Sequence, residues 1–285
     1  MASRSTFRNK QTTQAWQYKV RKEREKYYTD KKNIWDGIDL SLKKAMIRPV
    51  TRQQAEKMIL EYEWLGTLPG ASFYYGIFFE NICGGVCCFV GNGGGPNCAK
   101  MYGIKDKEIA YLIRGASAYW TPKGTASKLI SMSLKLIKKD YPHIKIAIAY
   151  SDTDAGEYGT VYQATNWLSL GIGLYGKQVV SPEGKIYHDS FITAWARKNK
   201  TTRSAIYKTI FKEGWTEQKP NRKYRYMYFL CDGKEKNMIY NKINQYITDY
   251  PKRPKNCDAG VISSIPSVQG GGGGAEPTAS LKNYA

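Results

Sequence analysis

Between residues 73 and 152 the hydrophobic pattern changes period in an order that leaves few folds open. Phe73 to Phe79 and Ile82 to Val90 are apolar and aromatic runs of strand length, with Glu80-Asn81 between them as a hairpin turn. A third β-rich run, Glu108 to Ala116, contains Arg114. The stretch Thr121-Pro122-Lys123-Gly124-Thr125-Ala126-Ser127 then opens onto Leu129, Ile130, Met132, Leu134, Leu136 and Ile137, whose spacing predicts an amphipathic helix. Ile144 to Tyr150 reads as a strand again and delivers Ser151-Asp152 at its carboxyl end. Upstream, Thr51-Arg52-Gln53-Gln54 fits a capping box, because the Thr hydroxyl accepts from a free amide while Gln54 reaches back. Met58, Ile59 and Tyr62 continue that helix toward Gly66.

A hairpin, a strand, a loop, a helix and a strand assemble an α/β (α+β) architecture: a mixed, twisted sheet flanked by helices, acetyltransferase-like (GNAT-like) in order. Further along, Gly159 to Trp167 suits a short helix, Gly173 to Val180 and Lys185 to Tyr187 suit strands, Arg203 to Lys212 a helix, and Tyr224 to Leu230 a last strand. Residues 1–45 read as a basic N-terminal arm whose alternating charges suggest a marginal helix or a disordered segment able to follow phosphates. Residues 46–255 read as the catalytic domain, and 256–285, with Gly270 to Gly274, as a flexible Gly-rich tail.

Lys and Arg number 44 against 24 Asp and Glu, a net charge of +20. Such a surplus repels itself and calls for a polyanionic partner, most simply nucleic acid. Six cysteines (Cys83, Cys87, Cys88, Cys98, Cys231, Cys257) contain no C-x-x-C pair, and the adjacent Cys87 and Cys88 face opposite sides of a strand. With only His143 and His188 beside them, zinc hydrolase chemistry is not expected. The polar N-terminus and the lack of a long apolar run lead to the expectation of a cytoplasmic protein with reduced thiols, no signal peptide and no membrane span.

Three places offer chemistry. Asp152, at the end of a buried strand, sits where α/β sheets hold ligands and can orient an exocyclic amine or take its proton. Tyr162, on a short helix after a Gly-rich entry, suits a proton donor; the alternative is a turn Asp and a core Tyr. Arg114, among Tyr111, Leu112, Ile113 and Ala116, must be paired if buried. It grips a phosphate, holds Asp152, or points outward. Lys123, Gly124, Thr125 and Ser127 open a helix that suits pyrophosphate, although the stretch is neither a P-loop nor the usual Gln/Arg-x-x-Gly-x-Gly/Ala acetyl-CoA signature. An ordinary capped helix is the other reading.

The segment Tyr150-Ser151-Asp152 followed by Gly159-Thr160-Val161-Tyr162-Gln163-Ala164-Thr165-Asn166-Trp167 resembles the signature of the Mom proteins. The likeness extends to Arg114, to Pro122 through Ser127, and to Arg222-Lys223-Tyr224-Arg225-Tyr226-Met227-Tyr228-Phe229, covering about Ile47 to Leu230. Mom proteins are phage enzymes that convert DNA adenine to N6-carbamoylmethyladenine and so block host restriction. The resemblance implies a transferase placing a small acyl-derived (carbamoylmethyl or acetamido) group on adenine N6 of DNA, in the host cell cytoplasm. It implies Arg114, Ser127, Asp152 and Tyr162 as active-site residues, with acetyl-CoA or a related acyl donor; iron is implicated in some members. One departure stands out: Glu63-Trp64-Leu65-Gly66 occupies the place where the family often carries His-Tyr. Glu63 keeps the capacity of a base or metal ligand, whereas Trp64 has no hydroxyl. Reaching N6 in a duplex requires flipping the base, with Trp64, Trp120 or Trp167 available to stack on it. Two other readings remain: an acetyl-CoA-dependent N-acetyltransferase acting on a protein or small amine, and a non-catalytic nucleic-acid-binding protein.

Overall fold

A computed structural model describes residues 15–29, 32–63, 65–92, 96–173, 178–218 and 223–253. Trp64, most of the expected Gly-rich loop (Gly93 to Gly95), Arg222, Cys257, the first fourteen residues of the arm and the Gly-rich tail lie outside the described residues. In chain order the helices and strands are α1 (Trp16–Tyr28), β1 (Met46–Pro49), α2 (Arg52–Tyr62), β2 (Phe73–Phe79), β3 (Ile82–Val90), α3 (Pro96–Tyr102), β4 (Ile109–Ser117) and α4 (Thr125–Asp140). There follow β5 (Ile146–Asp152), α5 (Thr160–Gln163), β6 (Leu168–Ile172), β7 (Gln178–Val180), β8 (Ile186–His188), α6 (Asp189–Lys198), α7 (Arg203–Lys212), β9 (Thr216–Gln218), β10 (Lys223–Phe229) and α8 (Gly233–Ile243).

The expected mixed sheet flanked by helices is present. Seven strands run in the order β1-β2-β3-β4-β5-β10-β6, and every pair is antiparallel except β4 with β5. Parallel neighbours need a crossover, and α4 supplies it. Its Leu129, Ile130, Leu134 and Ile137 are buried in one cluster with Ala147 and Ala149 of β5. At roughly 2 kcal/mol for each large side chain taken out of water, this stripe holds the helix on the sheet. The alternate residues Ile146 and Ile148 belong to a different cluster, with Tyr102 of α3 and Ile239 and Ile243 of α8. Cys87 and Cys88 likewise divide between the cluster under α4 and the one under α1 and α2, as their adjacency requires. The capping box of α2 forms: the Gln54 amide donates to Thr51 Oγ1 at 3.2 Å and the Thr51 amide donates to Gln54 Oε1 at 3.0 Å.

Two expectations change. The described part of the arm is not marginal: Trp16 and Val20, one helical turn apart, are buried against Ala55, Ile59 and Tyr62 of α2. Arg21 donates to the carbonyls of Tyr119 and Thr121 at 3.0 and 2.6 Å, and burial lowers its pKa. The dense charges around these two apolar residues hid their stripe. Second, within the stretch read as one catalytic domain, residues 175–220 form a compact unit of their own. Its described part is a three-stranded antiparallel sheet, β8-β7-β9, with α6 and α7 around a core of Val179, Ile192, Ala196, Ile206, Ile210 and Trp215.

Candidate active site

The site arises where β4 and β5 stop pairing. Their register runs from Ile109↔Ile146 to Leu112↔Ala149, yet β4 continues to Ser117 and β5 to Asp152. On its other side β4 carries a bulge: Cys88 faces Arg114 while Phe89 faces Leu112, so Ile113 is the extra residue. A bulge bends its strand, whereas β5 stays registered with β10 through Tyr150↔Arg225, Ser151↔Tyr224 and Asp152↔Lys223. The strands therefore part and leave a cleft of about 240 Å³. Its walls are β4 from Leu112 to Ala116, Tyr150 and Ser151 of β5, and the segment from Glu157 to Tyr162. Glu63, Gln17 and Arg253 also reach it.

Ion pairs organise the charges. Arg114 Nε lies 3.7 Å from Glu63 Oε2, with both side chains largely buried. The guanidinium also donates to the Thr67 carbonyl at 2.8 Å and to the Ile113 carbonyl at 2.7 Å. Glu63 follows the last residue of α2 and accepts from the amides of Leu65 and Gly66 at 2.7 and 3.0 Å. Arg114 therefore answers Glu63, not Asp152. Asp152, the final residue of β5, pairs instead with Lys223 at 2.9 Å, the residue across from it on β10.

Tyr162 lies in the cleft wall, its ring 5.2 Å from that of Trp167 and 4.9 Å from that of Tyr226. Burial, and then the neighbouring Glu157, raise its phenol well above the ordinary tyrosine value, so it keeps its proton. Gly159, which begins α5 in the left-handed region (φ 67), has no room for a side chain: a Cβ there would overlap the Tyr226 ring. Tyr226 in turn donates its hydroxyl hydrogen to the Tyr158 carbonyl at 2.9 Å.

Sequence reasoning missed Glu157. It lines the cleft, and its amide donates to the Asp152 carbonyl at 3.0 Å. Burial pushes its carboxyl up to about 8; the charges of Glu63 and Asp152 add to the rise and Lys223 opposes it. At neutral pH this acid is mostly protonated beside the ion-paired Asp152. The only local signal was a lone Glu between two left-handed glycines, Gly156 and Gly159.

The other proposed residues divide. Glu63, Arg114 and Tyr162 line the cleft, and Asp152 adjoins it through Ser151. Lys123, Gly124, Thr125 and Ser127 do not line it, although Ala126 of the same turn does. Thr125 is buried and spends its hydroxyl on the Pro122 carbonyl at 2.7 Å. Gly124 caps α4 at φ 94 with no side-chain hydrogen bond, and the Thr125 amide donates to the Pro122 carbonyl at 3.3 Å, which leaves the amides of Ala126 and Ser127 for an anion such as the phosphates of an acyl-CoA. The residues present fit that group. They do not fit iron: among the described residues no three His, Cys, Asp or Glu side chains are grouped to hold a metal ion. Trp167 is fully buried in the core, while Trp120 is half-buried and stacks on Trp35 at 5.6 Å. No helix among the described residues is long and apolar enough to cross a membrane.

Known proteins resemble the chain in structure and in sequence. Among solved structures, the chain is similar to an N-acetyltransferase from Staphylococcus aureus Mu50, at 11% identity over 66% of this chain and 99% of that one, with a TM-score of 0.38. It is also similar to the Escherichia coli ribosomal-protein-S18-alanine N-acetyltransferase, at 6% identity over 67% and 97% of the two chains, with a TM-score of 0.36. The methylcarbamoylase mom of Escherichia phage Mu is 29% identical over 131 residues, 46% of this chain. That match spans 51% of the phage Mu protein, about half its length. The profile of the Mom protein family matches residues 44–252, from just before β1 almost to the end of the described residues, and the chain belongs to the Mom protein family.

Proposed function

We propose that this chain is a DNA-modification transferase that places a small acyl-derived group, of the carbamoylmethyl or acetamido kind, on adenine N6. The observation that carries the reading is the parting of β4 and β5, which gathers an ion-paired Asp152, a protonated Glu157, a protonated Tyr162 and Arg114 around one cleft. Family membership, the activity named for the phage Mu relative and the net charge of +20 support DNA as the substrate.

The exocyclic amine of adenine is a poor nucleophile because its lone pair is delocalised into the ring. The site must therefore position it and manage its proton. Asp152, held by Lys223, orients the amine and accepts its proton as the new N–C bond forms. Tyr162 gives its proton to the group that leaves the donor carbon with the bonding pair. Glu157, protonated and facing Tyr162, restores the phenol; solvent then returns the proton from Asp152 to Glu157. Two carboxyls whose surroundings separate their titrations divide the acid and base roles in this way. Arg114, fixed by Glu63 and Thr67, supplies positive charge where negative charge develops in the transition state. An acyl donor of the coenzyme A class, when bound, supplies the electrophilic carbon. Lys123, Gly124 and Ser127, around the open turn of α4, would hold its phosphates, with Thr125 bracing the turn through Pro122. Trp120 remains the described tryptophan available to stack on a flipped base. The product would shield phage DNA from restriction endonucleases in the host cytoplasm.

Nucleoside mass spectrometry of plasmid DNA from cells expressing the chain tests this reading. A deoxyadenosine of increased mass is expected. Unmodified DNA together with soluble, DNA-binding protein would favour the non-catalytic reading, and acetyl-CoA turnover on an amine without DNA would favour the acetyltransferase.

A further inference from the structure

The second compact unit takes no part in the chemistry above, and its surface has a strong bias. From Ser190 to Lys212 the chain carries six cations, Arg197, Lys198, Lys200, Arg203, Lys208 and Lys212, with Asp189 at the start of α6 just before this stretch and Glu213 just after it. All six are exposed. They sit on α6, on α7 and on the turn from Asn199 to Thr202 between them. That turn is well defined: Lys200 is left-handed at φ 47, and the Thr201 amide donates to the Ala196 carbonyl at 2.9 Å. Thr202 caps α7 by accepting from the Ala205 amide at 3.2 Å. Ile192 and Ala196 of α6 and Ile206 and Ile210 of α7 are buried together, which turns the opposite side of α7 outward. That side presents Lys208 and Lys212, with Phe211 40% exposed beside them and stacked on Tyr207 at 5.7 Å, while Arg203 stands at the first turn of the helix.

We propose that the α6–α7 hairpin is the surface by which this chain docks on duplex DNA, with α7 toward the major groove; the proposal rests on the DNA-modification reading. Charge complementarity selects the occupant, since six cations without an intervening acid attract a polyanion. Two helices joined by a four-residue turn have the form in which a second helix enters a groove. Phe211, exposed between the cations, suits apolar contact with base edges such as the thymine methyl.

Fluorescence anisotropy with a labelled duplex, on the full chain at several salt concentrations, tests it. Arg197→Glu, Lys208→Glu and Lys212→Glu together should weaken binding a hundredfold or more near 0.1 M salt. They should also flatten the dependence of log K on log salt by about 2.7, roughly 0.9 for each phosphate no longer neutralised. A second triple, Lys107→Glu, Lys139→Glu and Lys234→Glu, makes the same change in net charge at exposed positions elsewhere and should cost only a few-fold. Both triples should keep the far-ultraviolet spectrum of the wild type, because none of the six side chains is buried. Equal losses in the two triples, or wild-type binding by the hairpin triple, would overturn the docking surface while leaving the DNA-modification reading in place. A wild-type chain that binds no duplex DNA would overturn both.

Discussion

Glu157→Gln keeps the outline of the side chain and removes only the charge that the cleft resists. An ordinary glutamate titrates near 4.5, but in the folded chain this one titrates at about 8. Between those values the folded state binds a proton that the unfolded state lacks. Stability therefore falls as pH rises through the window and is lowest above pH 8. The full rise corresponds to roughly 5 kcal/mol. Water entering the cleft screens part of it, leaving about 2–3 kcal/mol. At pH 9 the variant should be more stable than wild type by that amount and melt about 5–10 °C higher. At pH 5, where wild-type Glu157 is already protonated, the two should melt together. Scanning calorimetry at fixed ionic strength from pH 5 to pH 9 reads both ends. Adenine modification should fall about a hundredfold in the variant, and the wild-type rate should decline through about pH 8 as the proton donor is lost. Equal melting temperatures at pH 9, or the same gap at both ends, would refute the placement of this carboxyl.

Gly159→Ala should cost about 3 kcal/mol or more, since the added methyl meets the Tyr226 ring and the backbone is left-handed; a thermal melt near wild type would contradict the packing described. Arg114→Ala removes the partner of Glu63 and the hydrogen bonds to Thr67 and Ile113. A loss of about 2–3 kcal/mol is expected in urea titrations, and an unchanged midpoint would show that the network holds nothing. Deleting residues 1–29 exposes the surfaces that bury Trp16 and Val20 and should destabilise by about 3–5 kcal/mol, measured by the same titration. A truncated chain with wild-type stability would restore the reading of the arm as a marginal helix or a disordered segment.

The strands around the cleft were legible because each is a continuous apolar run bounded by turn residues. Phe73–Phe79 and Ile82–Val90 form with the expected ends, and Arg203–Lys212 does too. β1 was not legible, because four residues, Met46 to Pro49, carry no period. Nor was α8, where only Ile239 and Ile243 are buried on an otherwise polar helix. Asp152 and Tyr162 stood out through their place after a strand and a Gly-rich entry and through the Mom resemblance; Tyr162 lines the cleft and Asp152 lies next to its lining residue Ser151. The partner of Arg114 could not be read, since its pairing with Glu63 joins β4 to the end of α2, about fifty residues apart in sequence. Glu157 escaped for a related reason. Its raised titration is created by burial and by the charges of Glu63, just after α2, and Asp152 of β5, against the opposing Lys223 of β10, and nothing in Gly156-Glu157-Tyr158-Gly159 announces them.

The most direct measurement of the central claim is the amount of modified deoxyadenosine in DNA from cells expressing wild type or Asp152→Asn at equal protein levels. The variant keeps the shape of the side chain that faces Lys223 across the strands and loses its capacity to take a proton. Wild type should yield a deoxyadenosine adduct, and folded Asp152→Asn about a hundredfold less or none. Wild-type levels of the adduct from a stable Asp152→Asn chain would contradict the account.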